Sequence, residues 1–349
     1  MMFTRFRTSC FGLPFAGLLF SLALPAHAAA PAPIVMPSQW MSALASQRLA
    51  PGYRHFGDKV DALASALAAS CEGQPAAAAA SRQRWLEAAH DLRELSPLPI
   101  GPVLESRLLR RIDFWPTRPA QIESSIAQYA KTPANTARIG LPARGLPALE
   151  YLLFDAERPA LADDGPACRY AVWLARDTAA GISSTVSAWP DWIAGLAEAE
   201  PEREARLLAD GINILIGSTE TLRLKYLEKP LRPHTGPAET DAWRSGSARA
   251  GLTAYFSGLR AGLQGDEGMP GLTAMLRGRG LLTLAERLDQ RIDAVQTALA
   301  ALPPDFAADA ARPQTGTLVS ELSRLQRLLA EELADAMKVS VGFGENDGD

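Results

Sequence analysis

Apolar positions recur every three or four residues through most of the chain. The spacing runs through Trp85, Leu86, Ala89 and Leu92, and through Leu207, Leu208, Gly211, Ile212 and Leu215. It returns in Leu281, Leu282, Leu284, Leu288, Ile292 and Val295, and in Leu318, Leu322, Leu325, Leu328, Leu329, Leu333 and Met337. Such spacing puts one apolar stripe on a helix. Strictly alternating runs are scarce, so the pattern predicts an all-α chain of about ten helices. Proline and glycine fall between the periodic segments, at Pro97-Leu98-Pro99, Gly165-Pro166, Pro230 through Pro237, Met269-Pro270-Gly271 and Pro303-Pro304, where helices must stop. The Ala76–Ala80 run is helix-compatible and reads as a helix start.

The first 28 residues follow a different pattern. Arg5 and Arg7 precede an apolar run from Cys10 to Leu24, which ends at Pro25-Ala26-His27-Ala28. A basic start, a short apolar stretch and a small-x-small site describe a secretory signal peptide, with cleavage near Ala28–Ala29. The run of about 15 residues is short of a bilayer span. The chain is therefore expected in the periplasm, with no integral membrane span once the signal is removed. About 320 residues then remain, more than one compact core usually serves. The breaks place a seam near Asp155–Pro166, giving residues 29–160 and 161–349 as two packed helical bundles with a cleft between them. No repeat of 20–50 residues is visible, which excludes a solenoid.

Charge narrows the partners. The formal net charge of −4 becomes −6 without Arg5 and Arg7, and no Lys/Arg-rich block occurs, so nucleic acid and anionic lipid are poor partners. Of the three cysteines, Cys71 and Cys168 lie outside the signal segment; in an oxidising compartment they form one disulfide or stay as two buried thiols. No H-E-x-x-H and no G-x-S-x-G is present, so the parts of a zincin or an α/β-hydrolase are missing.

Three segments carry more information as an ordered set. They are Arg111-Ile-Asp-Phe-Trp-Pro-Thr-Arg118, with Gly101-Pro102 shortly before it; Gly145-Leu-Pro-Ala-Leu-Glu-Tyr-Leu-Leu-Phe154; and the tail from Val339 to Asp349. Their order and spacing resemble imelysin-like proteins, and Trp243-Arg-Ser-Gly-Ser247 is similar too. The resemblance implies an all-α periplasmic or surface protein of bacterial iron uptake, of a type first classed as metallopeptidases. It also implies periplasmic or membrane iron-uptake proteins as partners.

The family's G-x-H-x-x-E motif is degenerate here. Gly145 and Glu150 match its ends, but Pro147 stands where the histidine belongs. Histidine and glutamate three apart at a helix start share one face and can grip a cation. Proline offers no donor, yet fits a first helical turn. The motif frame of Gly145, Pro147, Arg111 and Trp115 thus predicts a retained fold with one ligand lost. Iron or another divalent metal is then held weakly, if at all. Glu150 either keeps some metal affinity or serves the positive end of its helix.

Asp113 sits among apolar neighbours, where it caps a turn, pairs with Arg111 or Arg118, or borders the cleft. Glu87 and His90 form an E-x-x-H pair that could hold a metal across one turn. Asn213 and Glu220 either reach the cleft or belong to plain packing. The acidic tail Glu345–Asp349 lacks the frame of a calcium loop. The resulting expectation is a non-catalytic binding protein in iron acquisition, set against a metallopeptidase of the imelysin type and a metal-free scaffold.

Overall fold

The structure is a computed structural model that describes residues 32–161, 165–197, 200–232 and 239–342. The signal segment and the acidic tail lie outside these residues. Helices begin and end where the sequence punctuates. α1 (Pro37–Ala43) continues through a π-helical turn at Leu44–Leu49 into α2 (Ala50–Cys71). α3 (Ala77–Leu95) starts within the alanine run and stops before Pro97. Short α4 (Pro102–Glu105) and α5 (Leu108–Ile112) lead to α6 (Pro119–Lys131), α7 (Gly145–Phe154) and α8 (Pro166–Ser187). α9 (Trp189–Ala194) and α10 (Pro201–Thr221) follow, the latter running into a π-helical turn at Leu222–Glu228. α11 (Ala248–Gln264), α12 (Leu272–Gly278), α13 (Leu282–Ala300), α14 (Arg312–Arg327) and α15 (Ala334–Ala336) complete the order. Proline at the first or second position opens α4, α6, α8, α10 and α14, where its missing N–H costs nothing. The only strands among the described residues are Gly265–Asp266 and Met269–Pro270, a two-residue antiparallel pair.

The apolar stripes face inward as their period requires. α2 buries Tyr53, Phe56, Val60, Leu63 and Leu67, and α13 buries Ala285, Leu288, Ile292 and Val295. α2, α3, α6, α7 and α8 form one group; α10 to α14 form the second. The groups join chiefly where α3 packs on α11, over a continuous hydrophobic core. The backbones come very close there. A Cβ on Gly258 of α11 would lie 1.9 Å from the Glu94 carbonyl oxygen, so only glycine permits this approach.

α8, which follows the expected 160/161 boundary, packs with the first group. α8 lies along α2, and a disulfide between Cys71 and Cys168, with Cα atoms 5.7 Å apart, ties the end of α2 to the start of α8. Apolar Tyr170, Ala171, Leu174 and Ile182 on α8 are fully buried, and this face overrides the proline- and glycine-rich seam before it. No helix among the described residues is long and apolar enough to cross a membrane.

Candidate functional site

A cavity of about 390 Å³ opens where α3, α7 and the start of α11 converge. That volume is in the range of small-molecule sites, roughly 300–1,000 Å³. Three features of the backbone fix its walls. Gly145 opens α7 at φ +76°, and a Cβ there would sit 2.1 Å from the Ile112 carbonyl oxygen. The motif glycine therefore lets α7 abut the end of α5. Next, the Trp85 indole N–H donates to the Leu146 carbonyl at 2.9 Å and docks the first turn of α7 on α3. Last, the Trp243–Ser247 turn presents Ser245 to Glu150.

Glu150 is 3% exposed and lines the cavity. Its Oε1 accepts the Ser245 backbone N–H at 2.9 Å and lies 2.9 Å from the Ser245 hydroxyl. Burial pushes its carboxyl from 4.5 up to about 7; the Ser245 bonds oppose this and the nearby Asp241 charge reinforces it. Pro147, one turn before, lines the same cavity, so the motif positions do share a face.

A buried ion-pair triad forms another wall. Arg93 donates through Nη1 and Nη2 to both oxygens of Asp113, at 2.7 and 2.8 Å. It also donates through Nε and Nη2 to Asp241, at 2.7 Å each. Burial alone would raise the Asp241 pKa, but Arg93 outweighs it and holds the group below the usual carboxylate range. Behind the triad, the π-helical turn carries Lys225, whose ammonium lies 5.4 Å from the Trp115 ring and 5.0 Å from the Tyr226 ring. Burial lowers its pKa, against the pull of Asp113. Its side chain keeps some exposed area at the margin, yet the surroundings are low in dielectric, and the direction of the shift follows from that.

The expected site residues divide accordingly. Glu150, Pro147, Asp113, Trp115 and His90 all line the cavity, with the His90 side chain 53% exposed at its rim. Asp113 pairs with Arg93 rather than with Arg111 or Arg118. Glu87 is not among the lining residues and pairs with Arg84 at 2.9 Å. Arg111 lies 3.9 Å from Asp177, away from the cavity. Asn213 bonds the chain at Ser340 and Gly342 instead of reaching the cleft. Arg93, Asp241 and Lys225 were not apparent from sequence. Arg93 had one signal: it stands eight residues after Trp85, in register with Trp85 and Ala89 on one face of α3.

These donors do not suit a bare metal ion. Asp113 and Asp241 are taken up by Arg93, Pro147 has no donor, and Glu150 contributes one free oxygen. Among the described residues, no group of three His, Cys, Asp or Glu side chains is placed to hold a metal.

Fold and cavity together define an all-helical protein with an internal site between two helix groups. This chain belongs to the imelysin family, whose sequence model matches residues 49–332. Among solved structures it is similar to an imelysin-like protein from Psychrobacter arcticum 273-4, with a TM-score of 0.70 and 21% identity over 90% of this chain and 100% of that one. It is also similar to a protein from Parabacteroides distasonis ATCC 8503 named as an iron-regulated protein A precursor, with a TM-score of 0.72 and 15% identity over 90% and 98% of the two chains. No curated protein matches it.

Proposed function

We propose that this chain is an exported, periplasmic imelysin-family protein that binds a small molecule or metal complex in the Glu150 cavity, in the service of iron acquisition and without hydrolytic chemistry. The observation that carries this reading is the cavity itself: largely apolar, and lined by one buried carboxyl group, Glu150, that has no ion-pair partner among the described residues. Pockets of that build hold small molecules by apolar contact and orient them by a few polar groups. Export is supported by Arg5, Arg7, the apolar run and the small-x-small site, and by the name "precursor" of a structural neighbour. Its other descriptor, iron-regulated, supports the setting. Peptidase chemistry lacks support because a hydrolytic metal needs about three protein ligands and an open position.

Native mass spectrometry of protein from the periplasm of iron-limited cells tests this. A small-molecule adduct is expected on the mature chain and absent from an Ala250→Trp variant, which narrows the mouth. Free ferrous ion or zinc should bind weakly in calorimetry, and Pro147→His should strengthen that binding by placing an imidazole three residues before Glu150. Tight stoichiometric metal binding that survives Glu150→Ala would show that the site lies elsewhere.

A further inference from the structure

We propose that the Glu150 cavity takes an organic ammonium ion, an amine whose charged head meets Glu150 Oε2 while its apolar body lies along Trp85, Leu86, Leu146 and Pro147. This rests on the reading of the cavity as a ligand site and names the chemistry of its occupant. The argument is one of unmatched charge. Of the acidic residues lining the cavity, Asp113 and Asp241 are both ion-paired with Arg93. Glu150 has no cation at ion-pair distance among the described residues. Arg244, the nearest guanidinium in sequence to Ser245, is committed to Asp155 at 2.6 Å. Glu150 is also only half satisfied. Oε1 has its donors from Ser245, whereas Oε2 takes no hydrogen bond from a described residue and is not sealed from the cavity.

A buried carboxylate without a counter-charge either takes up a proton or takes a cation. In the empty cavity Arg244 acts on it only from beyond ion-pair distance. A ligand ammonium supplies the cation. A single free oxygen cannot take the two-pronged pairing that a guanidinium favours, whereas it suits the single N–H of an ammonium. The apolar lining would solvate a bare metal ion poorly but suits a hydrocarbon or aromatic body. Arg93 does not repel the cation, because its two carboxylates leave the triad net negative.

The test uses the mature chain and three probes of one shape: 4-phenylbutylamine, 4-phenylbutanol and 4-phenylbutyrate, titrated by calorimetry near neutral pH. The amine should bind more tightly than the alcohol by at least about tenfold, as expected for a buried charge-assisted bond. The butyrate should bind least. Glu150→Gln should abolish the amine's advantage over the alcohol, while Ala250→Trp weakens all three. Equal binding of amine and alcohol, or a preference that survives Glu150→Gln, overturns the ammonium assignment but leaves the cavity a binding site. Failure of all three probes, while cell-derived protein carries an adduct, also overturns the assignment. Failure of the probes with no adduct removes the cavity reading as well.

Discussion

Glu150 is where the residue scale decides behaviour. Its folded-state pKa of about 7 lies above the ordinary 4.5, so the folded chain holds more protons than the unfolded chain between those values. Stability must therefore fall as pH rises through that window, by roughly 3 kcal/mol if the full shift applies. Glu150→Gln should flatten this dependence, since the amide oxygen still accepts from Ser245. Urea melts of both proteins near pH 5 and pH 8 check it, and parallel pH profiles would refute the burial account. The candidate site was legible at this scale only where a motif named it. Gly145, Pro147, Glu150, Asp113 and Trp115 stood in segments that could be recognised. Asp241 lies 148 residues from Arg93 with nothing in sequence to join them. A buried triad is set by tertiary approach, which periodicity cannot report.

At the scale of elements, the glycines at close approaches set the site's dimensions. Gly145→Ala would combine a left-handed backbone with a Cβ driven into the Ile112 carbonyl. A loss of roughly 2–4 kcal/mol is expected from the two costs together. α7 would also shift, so ligand binding should weaken more than a remote substitution of equal stability cost would cause. Chemical denaturation paired with amine titration separates the two effects. Unchanged stability in the Gly145→Ala protein would mean that α7 docks differently. Helix existence was readable from sequence for α3, α10, α13 and α14, because each carries a long apolar stripe. The π-helical turn that positions Lys225 was not, since Leu222–Glu228 has the composition of any helix end.

For the whole molecule, the Cys71–Cys168 bond is the one covalent tie between distant segments of the described chain, spanning 97 residues. Closing so long a loop restricts the unfolded chain and should stabilise by roughly 4 kcal/mol in the chain-entropy account. The Cys71→Ser/Cys168→Ser protein should unfold at distinctly lower urea, and wild type under reductant should match it. An unaltered midpoint would count against the bond. Proline and glycine near 155–166 mark a break in helix, but whether a break divides cores depends on which faces bury each other, and α8 turns its apolar face to α2.

The Arg93 triad has a consequence for how such chains can drift. Pro147 offers no side-chain donor or acceptor, so a change at that position strands no polar partner. Arg93, Asp113 and Asp241 have no such freedom. Removing the cation strands two buried carboxylates, and removing either carboxylate strips the cation of half its partners. Position 147 can thus change alone, whereas the chamber's charged wall can be lost only as a set.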